Sequence, residues 1–212
     1  MLSRPRSTIA RSTIGRTARG FATLLLAAAV AVSGSVNAFA QNVPVVRDAE
    51  IEALVRDYAR PIFKAAGLAN DGIDIVLVND QSFNAFVTGR RLFINTGALM
   101  TAETPNEIIG VIAHEAGHIA GGHQQKLREQ LERAKTMAII ATLLGAGAMV
   151  AGATTNSRGL AGAGIGMAAG GGAMAQRSIL AYQRTEEITA GRSAITYLTA
   201  TGQSRMGMAK TV

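Results

Sequence analysis

Two histidines four residues apart, with a glutamate directly after the first, are the side chains of this chain best suited to chemistry. They form the segment His114-Glu115-Ala116-Gly117-His118. On an α-helix, residues i and i+4 lie one turn apart on the same face, so both imidazoles can reach one metal ion. Glu115 then stands beside a water molecule that the metal activates. The motif predicts zinc-dependent hydrolysis, with His114 and His118 as ligands and Glu115 as the catalytic base.

The surroundings of this motif favour a buried helix. The chain has only three His, so a chance match to the pattern is rare. Thr104 suits an N-cap, Pro105 the first helical position and Glu107 a capping box. The residues around the motif are mostly apolar, as in a helix packed inside a domain. The alternative is a structural helix whose two histidines are buried and hydrogen-bonded without a metal.

The sequence leaves the third metal ligand open between two sources. His123 follows His118 by five residues, one short of the H-x-x-G-x-x-H spacing in which Gly121 would fit. Five steps of about 100° turn it away from the ligand face, so we expect an exposed residue at the helix end. The other source is a downstream helix that carries Glu186 and Glu187, and spacing alone does not separate these two acids.

A small sheet is predicted ahead of the motif helix and mostly helices elsewhere, which is an α+β class. An amphipathic helix over 49–66 should be kinked or split at Pro61. Alternation and β-branched content predict strands over 73–78, 83–87 and 91–94, the last two joined by a turn at 88–90. The strand at 91–94 is either an ordinary internal strand or one that pairs with an extended substrate.

Residues 136–176 form a Gly/Ala-rich segment with a single charge, Arg158. Three structures suit it: a helical hairpin docked on the domain, a hairpin against a bilayer, or a mobile flap. Ala and Gly contribute little transfer energy, which favours a packed or interfacial hairpin over a true membrane span. Helix is predicted to resume over 177–201.

The first 40 residues read as a signal peptide, which predicts export. They contain five Arg and no acid, then an apolar run over 21–32 and Ala38-Phe39-Ala40, typical of cleavage after Ala40. An uncleaved anchor is the alternative. The chain has 21 basic and 14 acidic residues. Without the five Arg of the signal peptide, 16 basic and 14 acidic residues remain and the net charge is +2. So small a charge gives no support to nucleic-acid binding. The absence of Cys excludes disulfides and thiolate ligands.

From about Ile51 to the end, the chain resembles the zincin metallopeptidase family that includes HtpX, the CAAX prenyl endopeptidases and the periplasmic BepA-like proteases, and we expect residues 41–212 to form one zincin-like domain. Beyond the motif, the resemblance rests on three short segments: Asn84-Ala85-Phe86, Ile94-Asn95-Thr96-Gly97 and Tyr182-Gln183-Arg184-Thr185-Glu186-Glu187. The family takes its third zinc ligand from the Glu of an Arg-x-x-Glu-x-x-Ala-Asp pattern. Arg184, Glu187 and Ala190 match it here, so the resemblance implies Glu187 as the ligand.

The resemblance implies a zincin-like fold, one Zn²⁺ per chain and a periplasmic metalloendopeptidase acting on exported or envelope polypeptides. The composition of residues 136–176, and not the resemblance, suggests membrane association. Two departures bear on this expectation. Gly191 stands where the family has an Asp that orients a ligand His, and many relatives continue beyond the point where this chain ends. The first departure favours an alternative, a weak or inactive zincin that binds outer-membrane clients. The candidates for stabilising the oxyanion are Tyr182, Arg184, Tyr197, a backbone N–H, or a residue beyond the end of this sequence.

Overall fold

The computed structural model describes residues 44–209, and the predicted signal peptide at 1–40 lies outside them. The described part is mostly helical, with a small sheet ahead of the motif helix, so the predicted α+β class is confirmed. Its elements are, in order, β1 (Val45–Val46), α1 (Ala49–Ala65), β2 (Asp74–Val78), β3 (Ala85–Thr88), β4 (Arg91–Asn95), α2 (Thr96–Thr101), α3 (Pro105–Ala120), α4 (His123–Thr154), α5 (Arg158–Ala200) and α6 (Met206–Ala209).

The four strands lie in the order β1-β2-β4-β3. β2 and β4 run parallel, whereas β1 and β3 are antiparallel to their neighbours. Three strands were predicted; β1 was not, because two residues are too few to show an alternating pattern. β4 pairs with a strand on both sides, so the idea that it takes up an extended substrate is wrong. The edge strands are β1 and β3.

The core lies between the sheet and three helices. α1 contributes buried residues from one stripe and runs through Pro61 without a break, so the predicted split is absent. Asp48 caps it by accepting hydrogen bonds from the backbone of Glu50 and Ile51, each 3.1 Å long. The largest fully buried side chains come from α1, the sheet, α3 and α5: Val55, Ile62, Leu77, Leu92, Ile94, Ile112 and Leu198.

α4 and α5 form a long antiparallel hairpin, so residues 136–176 are a helical hairpin and not an irregular flap. Small residues allow the two backbones to touch: a Cβ on Gly145 would lie 2.5 Å from the Gly164 carbonyl oxygen, and one on Gly152 would lie 2.4 Å from Ala161 N. The large apolar side chains point outward instead. α4 is long and apolar enough to cross a membrane; its most apolar stretch has a mean hydropathy of 1.8 and is 11% buried.

Candidate metal centre

Helix α3 holds both motif histidines on its inner face. Thr104 is the N-cap and Pro105 the first helical residue, and the carboxylate of Glu107 accepts a hydrogen bond of 3.1 Å from the backbone N–H of Glu103. The predicted start of the helix is confirmed, but the capping box is not formed: Thr104 makes no side-chain cap hydrogen bond, and Glu107 accepts from Glu103 and not from the N-cap N–H. His114 is 7% exposed and Glu115 is 8% exposed. The motif therefore lies at the boundary between the core and a cleft.

Helix α5 brings Glu187 to the two histidines. Its Oε2 lies 3.2 Å from His114 Nε2 and 3.6 Å from His118 Nε2, and the two Nε2 atoms are 3.1 Å apart. Zinc bonds of about 2.0–2.1 Å at tetrahedral angles place neighbouring ligand atoms roughly 3.3 Å apart. The triangle of ligand atoms thus has the size and the donor set, two imidazoles and a carboxylate, that fit one zinc ion.

Gly117 allows α5 to approach this closely. A Cβ at Gly117 would lie 2.8 Å from the carbonyl oxygen of Ala190 and 3.0 Å from its Cα, both closer than ordinary contact. Ala190 is fully buried and sits three residues after Glu187, almost one helical turn. The absence of a side chain at position 117 therefore sets the distance between the ligands on α3 and the ligand on α5.

Glu115 faces the same cleft, where its charge is disfavoured. Burial and then the charge of Glu187 raise the pKa of Glu115 to about 8, while a hydrogen bond from the Val87 backbone N–H opposes the rise. A divalent cation held beside Glu187 would offset the repulsion between the two carboxylates. The electrostatics of the cleft, like its geometry, suit a bound cation.

The cleft has a volume of about 390 Å³ and lies between α3 and the edge strand β3. Gln124, at the start of α4, holds β3 in place: its Oε1 accepts a 2.9 Å hydrogen bond from Gly89 N–H, and its Nε2 donates to the Val87 carbonyl. The lining side chains are Phe83, Asn84, Ala85, Phe86, Val87, Val111, His114, Glu115, His118, Gln124 and Glu187.

The register of β3 shows which of its backbone groups face away from the sheet. Asn95 N–H donates to the Asn84 carbonyl at 3.0 Å, and alternate residues of an antiparallel pair point toward the partner strand. Ala85 and Val87 therefore direct their N–H and C=O groups outward. The Val87 N–H is bonded to Glu115 and the Val87 C=O to Gln124. The backbone N–H and C=O of Ala85 therefore remain at the open edge of the strand.

A model of peptidase family M48 matches residues 45–212, a span that contains the whole centre just described. The chain belongs to peptidase family M48. The resemblance found in the sequence is thereby confirmed, and membership supports a peptidase function. The chain is also 25% identical over 105 residues to a Vibrio cholerae serotype O1 protein described as "Putative beta-barrel assembly-enhancing protease". The aligned part is 49% of this chain and 22% of that relative, so the chain spans about a fifth of the relative's length.

His123 is the site residue that the sequence misplaced in this M48 domain. It is 5% exposed and is not the surface residue that we expected. Its Nδ1 lies 3.0 Å from His118 Nδ1, on the side of that ring away from the ligand triangle, and its Nε2 lies 2.6 Å from Glu186 Oε2. The prediction failed because α3 ends at Ala120, Gly121 is its C-cap and Gly122 adopts a φ of +62°. Helical spacing therefore does not apply across this turn. The Gly-Gly pair was the available signal.

The charge states of the histidines also suit metal binding. Burial is the largest influence on His118 and on His123, and it lowers the pKa of both. Neutral imidazole is the form that binds a metal. Glu186 and Glu187, which spacing could not separate, thus lie in different places: Glu187 in the ligand triangle and Glu186 behind it, against His123.

Two expectations for this M48 chain remain to be compared with the structure: an Asp that orients a ligand histidine, and a side chain that stabilises the oxyanion. Within residues 44–209, His114 Nδ1 is buried and has no hydrogen-bond partner. Gly191, where the family Asp is expected, has room for a side chain, because its nearest neighbour would be Met208 Cε at 3.4 Å. Neither Tyr182, Arg184 nor Tyr197 is among the described residues that line the cleft, so these side chains do not reach it in this structure.

Proposed function

We propose that this chain is a zinc-dependent endopeptidase that hydrolyses peptide bonds of exported or envelope proteins. The observation that carries the proposal is the convergence of His114 Nε2, His118 Nε2 and Glu187 Oε2 in one cleft. Membership of peptidase family M48 supports the peptidase chemistry. The name of the Vibrio cholerae relative, a beta-barrel assembly-enhancing protease, supports envelope proteins as the substrate class.

In this proposal His114, His118 and Glu187 hold the ion and Glu115 moves protons. Bound zinc would supply a Lewis acid that lowers the pKa of water and polarises a carbonyl. Glu115 takes a proton from the attacking water and delivers it to the leaving amine. The Glu115 carboxylate accepts one hydrogen bond from the Val87 N–H, which keeps it directed into the cleft.

The substrate binds in this proposal as an extended strand along β3. Ala85 offers an outward N–H and C=O at the open edge, which is what strand addition requires. Phe83 and Phe86 line the same cleft and are partly exposed, so they offer apolar contact to substrate side chains. Main-chain pairing depends little on side chains, which suits an enzyme that cuts varied unfolded segments.

The test of the chemistry is Glu115→Gln, which keeps the shape of the side chain but cannot accept the proton. We expect the variant to bind about one zinc per chain, as the wild type does, and to cleave casein at least roughly 100-fold more slowly. Glu132→Gln, at an exposed position on α4, is the matched control and should cleave normally. If Glu115→Gln cleaves casein as fast as the wild type, Glu115 is not the base.

We also propose that the protein acts in the periplasm with its hairpin in contact with lipid. The uncharged arms of the hairpin, 136–154 and 159–176, are about 28.5 Å and 27 Å long at 1.5 Å per residue, close to the roughly 30 Å hydrocarbon core of a bilayer. Lys135 and Arg177 stand at the base and Arg158 at the tip. Small residues face each other inside the hairpin, and large apolar ones face outward. Both features support a lipid partner.

Carbonate extraction tests the lipid contact. A double variant, Leu143→Asp with Ile165→Asp, places charge on two side chains that are now exposed, 67% and 59%. Each charge near the membrane centre costs roughly 2.5–3.5 kcal/mol of insertion free energy, so the variant should move to the supernatant. Met100→Asp, at an equally exposed position on α2, is the control and should stay in the pellet. Wild-type protein that is fully extracted by carbonate would contradict the proposal.

A second function, binding of outer-membrane clients without cleavage, is favoured by one observation. His114 Nδ1 has no partner among the described residues, and Gly191 cannot supply one. A poorly supported ligand typically lowers metal affinity or activity roughly 10- to 100-fold. Zinc content and casein cleavage, measured on the same preparation, separate the two functions: stoichiometric zinc with no turnover supports the binder.

A further inference from the structure

His123 and Glu186 form a buried pair behind the ligand triangle that the proposed chemistry does not use. His123 is 5% exposed, and the side chain of Glu186 is 15% exposed. Tyr182, one turn earlier on α5, holds its hydroxyl close to the same carboxylate: burial and then the charge of Glu186 raise the pKa of Tyr182. His123 thus stands between the outer ring nitrogen of His118 and the Glu186 carboxylate, and Tyr182 lies beside that carboxylate.

The turn between α3 and α4 is built to place His123 there. A Cβ on Gly121 would lie 2.1 Å from His123 Nε2 and 2.4 Å from its Cδ2, so only glycine leaves room for the imidazole. Gly122 follows with a φ of +62°, a backbone conformation that residues other than glycine rarely adopt. Together the two glycines fold His123 back against the end of α3.

The contacts define one consistent set of protons. When Nε2 of His118 is a metal ligand, its neutral ring carries the proton on Nδ1. That N–H points at His123 Nδ1, 3.0 Å away, which must accept and therefore has no proton. The proton of neutral His123 then lies on Nε2, 2.6 Å from Glu186 Oε2. That oxygen has no hydrogen-bond partner among the described residues, so the contact is a close electrostatic one and not a formed hydrogen bond. A carboxylate behind a histidine orients the ring and raises its basicity as a ligand.

We propose that His123 and Glu186 are positioning residues that hold His118 in its metal-binding orientation and tautomer. This inference rests on the proposed zinc centre. The pair supports the second histidine of the motif, whereas the first, His114, has no such support within the described residues. The two histidine ligands therefore differ: His118 is held by a histidine and a carboxylate from outside the motif, whereas the outer nitrogen of His114 has no hydrogen bond among residues 44–209.

The test compares zinc affinity, measured on the full chain by competition with a chelator, across matched variants. We expect Glu186→Ala and His123→Ala to weaken zinc binding roughly 10- to 100-fold. Glu186→Gln, which keeps a partly negative oxygen beside His123 Nε2, should recover most of the affinity. Glu132→Ala removes the same charge from an exposed position on α4 and should bind as the wild type does. Zinc affinity within twofold of the wild type in both alanine variants would overturn the proposal.

Nitrogen NMR supplies a measurement that a merely structural role would not change. The chain has only three His, so each imidazole can be assigned in a long-range proton–nitrogen spectrum. In the zinc-loaded wild type, His123 should carry its proton on Nε2, and Glu186→Ala should weaken that preference and shift the nitrogens of His118. A proton on His123 Nδ1, or zinc bound directly to His123, overturns the proposal. A wild type that binds no zinc overturns the metal centre as well, so the two failures are distinguishable.

Discussion

The closest helix contact in the centre gives the sharpest prediction. Gly117→Ala adds one methyl group whose carbon would lie 2.8 Å from the carbonyl oxygen of Ala190. Ordinary contact begins at 3.4 Å, so α5 must move away from α3 by about 0.6 Å. Metal–ligand distances tolerate only about 0.2 Å of deviation. Because Glu187 lies on the segment that moves, its carboxylate would leave the ligand triangle.

We expect Gly117→Ala to weaken zinc binding roughly 10- to 100-fold, which corresponds to about 1.4–2.7 kcal/mol of binding free energy. The free energy of unfolding of the metal-free protein should fall by roughly 1–3 kcal/mol, as for an overpacked core. Chelator competition gives the first quantity and urea unfolding in EDTA gives the second.

Gly162→Ala is the matched control. Gly162 lies on α5, as Glu187 does, and a Cβ there would meet nothing within 4 Å. It should leave zinc affinity unchanged and raise the free energy of unfolding by about 0.4–1 kcal/mol. The reasoning is refuted if Gly117→Ala binds zinc as tightly as the wild type does. Such a result would mean that the spacing of α3 and α5 does not control the ligand triangle.

Three further predictions concern the support of the centre and the core. Gly191→Asp should raise zinc affinity, by up to roughly 100-fold, because a carboxylate would restore the support expected for a ligand histidine; an unchanged zinc affinity would contradict this. Gln124→Ala removes the two hydrogen bonds that fix β3 and should raise KM for a peptide with little change in zinc affinity, whereas an unchanged KM would show that β3 holds its place alone. Leu198→Ala, at a fully buried position, should lower the free energy of unfolding by about 2–5 kcal/mol in urea, and a loss below 1 kcal/mol would contradict its place in the core.

Local patterns in the sequence were sufficient for the elements that carry the centre. The motif helix could be predicted from the capping residues at 104–107 and the apolar positions after them, and α3 begins where they indicate. The hairpin between β3 and β4 was predictable because Gly89, with a φ of +61°, marks a tight turn between two alternating runs. These signals are short-range, since capping and turn formation involve residues only a few positions apart.

The arrangement of those elements required information that local patterns do not contain. Arg91–Asn95 has the composition of any half-buried strand, and only its pairing on both sides shows that it is internal. His123 was misplaced because its position depends on two glycines, Gly121 and Gly122, that separate α3 from α4. Spacing could not separate Glu186 from Glu187, since adjacent residues on a helix differ by only about 100° and the packing of α5 decides which one faces the histidines.

The continuity of α5 has a consequence for what such an enzyme could reach. Glu187 follows Arg177 by ten residues on one unbroken helix, a rise of about 15 Å. If the uncharged arms of the hairpin lie in hydrocarbon, that rise fixes the height of the scissile bond above the lipid. A polypeptide segment lying flat on the bilayer would then be too far from the site to be cut, whereas an unfolded loop that extends from the bilayer would reach it. The length of this part of α5 would thus select substrates by how far they protrude from the membrane.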